Sequence, residues 1–321
     1  MNRKILSTVL FIILVMLVSA IAETNETPIV GVAWPWRSNQ NAESYVAICK
    51  AIEAAGGKPV GLDMVMSSDF DYEAGKLTSG TDADGALTAE AAKLVRCNTW
   101  QGSNVKAVME GINAVVFPGG DDISPSLYYA PQPVEAREGY SAEHDVSDYL
   151  LMSYCLENDV PILAICRGMQ MLSVVSGADM IQDIPAYMEK KGLDYGYEHR
   201  NEPEEPGAYR DFAYHGVKVV NHSSLLYRLT GKDTIENVPS WHHQAVNSVE
   251  GTRLVVTGIS ETAGTEIIEA VERPDKTFTL GLQFHPEIAV VRENDKASLV
   301  YFQAIVNLAD KAQFHALEPA A

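Results

Sequence analysis

Cys166 closes the apolar run Ile162-Leu163-Ala164-Ile165 and stands two residues before Gly168. Small residues two positions either side of a nucleophile, here Ala164 and Gly168, permit the strained strand-to-helix turn that lifts a reactive side chain above a sheet. A thiol held there can attack a carbonyl carbon and form an acyl-enzyme, provided that a base manages its proton. Far downstream, Phe278 to Phe284 reads as a half-apolar strand that empties into His285-Pro286-Glu287. A histidine at a strand end, with a carboxylate two residues on, supplies a base and a group to orient it. Most cysteines are buried small hydrophobes, so Cys166 takes its meaning from His285 and Glu287 rather than from its own position.

The elements that must carry these residues follow a strand, helix, strand alternation. Ile29 to Ala33 reads as a buried strand, Asn41 to Ala55 as a helix closing at Gly56-Gly57, and Lys58 to Leu62 as the next strand. Residues 63–87, rich in Asp, Ser, Gly and Thr, read as a long surface loop able to act as a flap. Helices are expected at about 88–97 and 103–111, before the strand Ala114 to Phe117, which ends in Pro118-Gly119-Gly120-Asp121-Asp122. A helix over Asp145 to Glu157 leads into the nucleophile strand. Short apolar strands alternating with helices predict a mostly parallel sheet covered on both faces. From Val217 onward helices nearly vanish, and strands are expected at 217–220, 234–237, 253–258, 265–272 and 278–284 before a last helix over Lys296 to Asp310.

Length and charge bound the rest. The first 22 of 321 residues read as a removable signal: Arg3 and Lys4, an apolar stretch from Ile5 to Val18, and the small-x-small site Ala20-Ile21-Ala22. That stretch is short for a membrane span. The expectation is an exported protein, periplasmic or secreted, without membrane attachment after cleavage. The remaining 299 residues suit one α/β domain over 28–310, with a frayed tail over 311–321. Removing Arg3 and Lys4 leaves 22 basic against 43 acidic residues, a net charge of −21, which repels nucleic acid and anionic membranes. Cys49, Cys97, Cys155 and Cys166 show neither paired nor metal-ligand spacing, and Cys49 and Cys155 fall in helical apolar patterns. His144, His199, His215, His222 and His315 follow no metal-ligand spacing either, and read as surface or structural residues.

Four segments together resemble the class I glutamine amidotransferase fold, and within it the free-standing hydrolases of the γ-glutamyl-γ-aminobutyrate hydrolase type. They are Pro118 to Asp122 with Pro125 and Tyr128; Ile165 to Gln170 continuing to Ile181-Gln182-Asp183-Ile184-Pro185; His242-His243-Gln244-Ala245; and Gln283 to Glu287. In this order, with His285 119 positions after Cys166, they form a specific signal covering residues 28–310. The resemblance implies a flavodoxin-like α/β fold with a β-rich C-terminal part. It implies Cys166 as nucleophile, His285 as base, Glu287 as the group orienting it, and an oxyanion hole from the N–H groups of Gly120 and Arg167.

By the same resemblance Gln170 binds the α-amino and carboxylate end of a glutamyl group, and His242 or His243, His242 foremost, lines the pocket with Asp122. Gln170 as a loop cap and Asp122 as a turn stabiliser are the blander readings of those residues. Trp34-Pro35-Trp36 reads as an aromatic wall or a packed loop, and the acidic stretch 201–207 as a solvated loop or part of the entrance. Ala164, Ser173, Pro239-Ser240-Trp241 and His144-Asp145 depart from the family pattern without touching the triad. The implied reaction is hydrolysis of a γ-glutamyl amide on a small-molecule substrate, with no cofactor and no metal; self-association stays open. The alternatives are an amidotransferase subunit passing ammonia to a partner, and a non-catalytic binding protein on the same fold.

Overall fold

The computed structural model describes residues 27–35, 42–130, 139–202 and 211–316. Strand β1 (Ile29–Val32), helix α1 (Ala42–Ala54) and β2 (Lys58–Gly61) come first, followed by a small hairpin of β3 (Tyr72–Glu73) and β4 (Lys76–Leu77). Helices α2 (Ala89–Asn98) and α3 (Val105–Val108) precede β5 (Val115–Phe117). Helix α4 (Ala142–Glu157) leads to β6 (Ile162–Ile165), α5 (Arg167–Val175), β7 (Asp179–Ile181) and α6 (Ile184–Lys190). The second half holds β8 (Ala213–Val219), α7 (Leu225–Thr230), β9 (Thr234–Ser240), β10 (Ala245–Ser248), β11 (Val255–Thr262), β12 (Thr265–Glu272) and β13 (Thr279–Leu282). Helices α8 (Pro286–Glu293) and α9 (Leu299–Ala316) close the chain.

Nine strands form one sheet in the order β2-β1-β5-β6-β13-β12-β11-β8-β9. From β2 to β13 every pairing is parallel, and from β13 to β9 every pairing is antiparallel. This is the expected α/β architecture with its β-rich C-terminal part. The parallel block reads as continuous apolar sequence because both of its faces are covered. Val115 and Phe117 of β5 pack on one side with α2, α4 and α5, while Val116 packs on the other with Ile48, Ala51 and Ile52 of α1 and Phe302 and Ile305 of α9.

Helix starts follow side-chain chemistry legible in the sequence. Thr88, Ser141 and Asp183 each accept a hydrogen bond from the backbone N–H three residues on, capping α2, α4 and α6. The last helix runs to Ala316, past the expected frayed boundary at 311, and residues 317–321, like the signal segment 1–22, lie outside the described residues. Residues 63–87 are fastened rather than loose. The Val65 N–H donates to Ser147 Oγ, Leu77 N–H to Glu143 Oε1 and Ala142 N–H to Gly85 O, so the segment lies along the start of α4.

Register decides where the chemistry falls. Phe117, Ala164 and Gly281 lie in one row across β5, β6 and β13. Each strand then runs off the same sheet edge, so the loop at Gly119, the turn at Cys166 and the exit at His285 emerge side by side. Gly168 lies so close to β5 that a Cβ there would stand 2.5 Å from the Phe117 carbonyl oxygen. Gly168→Ala is therefore expected to destabilise the fold by about 1–3 kcal/mol, lowering Tm by about 2–4 °C for each kcal/mol. Thermal unfolding followed by circular dichroism measures this, and a wild-type melting curve would show that the helix can retreat freely.

Candidate active site

Cys166 has φ 52° and ψ −109°, a backbone conformation that non-glycine residues rarely adopt. Such strain persists only where the surroundings over-determine it. Here the Cys166 N–H donates to Leu282 O on β13 (2.7 Å) and the Gly168 N–H to Pro118 O beyond β5 (3.1 Å), so the turn is tied to both flanking strands. Cys166 is also the cap residue of α5, at the positive end of the helix. A Cβ added to Gly119 would lie 3.2 Å from His285 Cε1 and 3.8 Å from Cys166 Sγ, which sets the glycine loop, the thiol and the imidazole in mutual contact.

His285 Nδ1 lies 2.6 Å from Glu287 Oε1, and Cys166 stands beside the same ring. Burial works against a charged ring, but the Glu287 carboxylate and then Cys166 outweigh it and push His285 up to about 10. The resting site is thus an imidazolium between a carboxylate and a sulfur. Glu287 is wholly buried, and its Oε1 also accepts from Ser44 Oγ at 2.6 Å. Ser44 belongs to α1, some 240 residues away in sequence, and no motif marked it. Phe212 stacks edge-on against both Trp241 (5.1 Å) and His285 (5.2 Å). Cys166 is consequently covered rather than open, at 6 % exposure, with the Trp241 carbonyl oxygen 3.9 Å from its sulfur.

Arg167 opens α5, so its N–H has no acceptor within the helix. Neither this group nor the Gly120 N–H donates a backbone hydrogen bond to another described residue. The Arg167 side chain turns away and is buried, pairing with Asp145 at 2.6 Å and with Asp148 of α4. Gly120 has to be glycine, because a Cβ would stand 2.7 Å from Arg167 Cδ and 3.0 Å from His144 Cε1. The buried ion pair thus braces the helix that follows Cys166 against α4 and the glycine loop.

The remaining expected site residues surround this centre and are engaged with protein partners. Gln170 Nε2 donates to Gln244 O (3.2 Å) and Gln283 Oε1 (3.3 Å). Asp122 Oδ1 lies 2.9 Å from His243 Nε2, and Asp183 Oδ1 lies 3.0 Å from His243 Nδ1. Burial opposes charge on His243, but these two carboxylates raise its pKa nonetheless. His242 turns the opposite way, with Nδ1 2.8 Å from Gln244 O and its ring 4.9 Å from His199. His144, His199 and His215 are interior residues, His222 is exposed and paired with Asp233, and the His315 side chain lies outside what is described. Trp34 packs edge-on at 6.0 Å from His144, while Trp36 and the acidic residues 203–207 lie outside the described residues. All four cysteines are free thiols.

The family pattern of peptidase C26 matches residues 81–287, which takes in the glycine loop, the cysteine turn and the His-Pro-Glu exit. The chain belongs to the peptidase C26 family. Relatives include the protein NtpR of Enterococcus hirae, 33% identical over 182 residues, covering 57% of this chain and 70% of that protein. They also include the γ-glutamyl-γ-aminobutyrate hydrolase PuuD of Escherichia coli K12, 29% identical over 188 residues, covering 58% of this chain and 68% of that one. Among solved structures, a "putative GMP synthase" chain of Thermoplasma acidophilum superposes with a TM-score of 0.50 at 13% identity, over 92% of this chain and all of that one. Such a likeness concerns the fold alone, and that fold is the class I glutamine amidotransferase fold. This C26 family member is a glutamine amidotransferase-like hydrolase in family terms.

The raised His285 gives a direct test of the centre. Glu287 is the strongest of the groups holding the proton, so Glu287→Gln is expected to move the His285 midpoint to lower pH by at least about one unit, or 1.4 kcal/mol. Histidine-selective 15N NMR titration reads that midpoint without any substrate. An unchanged midpoint would mean that Glu287 does not charge the ring.

Proposed function

We propose that the protein hydrolyses a γ-glutamyl amide through an acyl-enzyme on Cys166. The observation that carries this reading is the 2.6 Å contact between His285 and a buried Glu287, with the ring beside a cysteine on a strained turn. Family membership and the name of the PuuD relative support the γ-glutamyl class.

The thiolate adds to the amide carbonyl carbon, forming a C–S bond and shifting an electron pair to oxygen. The N–H groups of Gly120 and Arg167 receive that oxyanion; one such donor can supply about 3 kcal/mol. His285 gives its proton to the leaving nitrogen, the C–N bond breaks, and an amine departs. Water then enters, His285 takes a proton from it, and hydroxide adds to the thioester. Collapse breaks the C–S bond, returns the thiolate beside the protonated His285, and releases the γ-carboxylic acid, which gives its proton to solvent. Glu287 holds the ring in one orientation throughout, and Ser44 holds Glu287.

In this reading the substrate's free α-amino and α-carboxylate groups meet the mouth of α5 beside Gln170 and the glycine loop, so only the side-chain carbonyl reaches sulfur. An α-linked isomer leaves those polar groups unmatched at about 1–3 kcal/mol each, which favours the γ isomer by tens-fold or more. The test compares kcat/KM for γ-glutamyl and α-glutamyl p-nitroanilides, alongside a Cys166→Ala variant. Equal values for the isomers would sink γ selectivity. Activity of Cys166→Ala above a few per cent of wild type would sink the covalent route.

Export completes the proposal, resting on Arg3, Lys4, the apolar stretch and Ala20-Ile21-Ala22. Intact-mass measurement of protein from its native host is expected to find a mature N-terminus near Glu23. A cytoplasmic form retaining Met1 or Asn2 would overturn it.

A further inference from the structure

Behind the Trp241 carbonyl that faces the nucleophile lies a second cluster. His199, His215 on β8, His242 in the β9–β10 connection and Glu269 on β12 each turn one ligating atom inward, all within 4.8 Å of one another. Glu269 Oε1 is 3.1 Å from His199 Nδ1, 3.8 Å from His215 Nε2 and 3.7 Å from His242 Nε2. None of these three ring nitrogens has hydrogen-bond geometry to another described residue, and neither has Glu269 Oε2. His199, His242 and Glu269 are almost wholly buried, and the His215 side chain is 7 % exposed.

The outward ring atoms say which inward ones carry lone pairs. His242 Nδ1 faces Gln244 O at 2.8 Å and His215 Nδ1 faces Gly216 O at 3.2 Å. A carbonyl oxygen only accepts, so these nitrogens hold the hydrogens and each Nε2 is a bare donor of electrons toward Glu269. Backbone carbonyls play this part behind metal-ligating histidines generally. His199 Nε2 lies 2.8 Å from Thr262 Oγ1, a hydroxyl that serves either tautomer. Lone pairs gathered around a buried carboxylate repel one another unless positive charge stands among them.

We propose that His199, His215, His242 and Glu269 form a closed, four-coordinate site for a divalent first-row transition metal ion, Zn²⁺ foremost. Three imidazoles and one carboxylate suit such an ion. In a tetrahedral zinc site with bonds of about 2.0–2.1 Å, ligand atoms stand about 3.3 Å apart, close to the spacings around Glu269. Four protein ligands and deep burial make it structural rather than catalytic. The β8–β9 pairing carries a register shift directly after His215, and such bulges re-aim a side chain. The ion would tie β8, β12 and the 241–244 connection together, fixing the Trp241 carbonyl beside Cys166 Sγ. His242 is then a ligand, not a substrate contact.

The test uses the full chain carrying Cys166→Ala, so that the nucleophile cannot bind metal and the outcome is independent of the proposed reaction. Chelator-treated protein is titrated with ZnCl2 and, separately, with CoCl2. The expected result is one equivalent of either ion per chain, tetrahedral d–d absorption for Co²⁺ and a higher Tm on zinc addition. His215→Ala should weaken uptake at least tenfold. Because that variant could misfold, X-ray absorption on the zinc-loaded parent provides a second reading, expected to show nitrogen and oxygen neighbours only. Absence of saturable uptake, undiminished uptake in a folded His215→Ala, or sulfur in the coordination shell would each overturn the site.

Discussion

The left-handed turn at Cys166 is the constraint around which the rest is arranged. An L-residue at φ 52° and ψ −109° is costly by about 1–3 kcal/mol, and nothing local relieves that cost. What holds it is non-local: a hydrogen bond to Leu282 on one neighbouring strand, another from Gly168 to Pro118 beyond the other neighbour, and Gly168 closing onto Phe117. These contacts exist only if β5, β6 and β13 keep the row Phe117, Ala164, Gly281. Sheet register and nucleophile geometry are therefore one requirement. The same row delivers the glycine loop on one side of the thiol and His285 on the other.

Two buried charge systems flank this turn and differ in kind. Arg167, Asp145 and Asp148 form an ion-pair cluster that braces α5 against α4, with Ser124 donating to Asp145 through both its N–H and its hydroxyl. Buried pairs of this sort seldom add net stability over apolar packing, but loss of one partner is severe. Its value lies in fixing where α5 begins. The His285–Glu287 pair instead holds a proton on the imidazole, and Ser44 supplies the hydroxyl that keeps the carboxylate oriented.

The centre of the site was legible in the sequence because its signals are local. An apolar strand breaking at Cys166-Arg167-Gly168, and another breaking at His285-Pro286-Glu287, state their positions through neighbours in the chain. The parallel block was legible for the same reason, since strands covered on both faces are apolar runs. Ser44 was not, because one hydroxyl on the polar side of a helix carries no pattern. The burial of Cys166 was not, because the Trp241 backbone reaches its sulfur from the far end of β9. The gathering of His199, His215 and Glu269 around His242 was missed because the four residues lie on separate elements, and their convergence depends on strand pairings with register shifts.

The electrostatics of the centre explain why it tolerates burial. A charged imidazole beside a carboxylate forms a buried pair, and the proposed attack by sulfur would add a negative charge that an apolar setting penalises. Two helices answer it. Cys166 is the cap residue of α5 and His285 the cap residue of α8, so two positive helix ends converge on the same few ångströms. Glu287, in the first turn of α8, lies where a carboxylate gains most from that end, by up to about 2 kcal/mol in partly buried geometry. Pro286 suits this position, because the first helical residue needs no N–H and its ring presets φ. The His-Pro-Glu sequence is thus a helix start and the source of the buried imidazole–carboxylate pair at once. Moving either residue along the chain would lose both the hydrogen bond and the field that makes the buried charge stable.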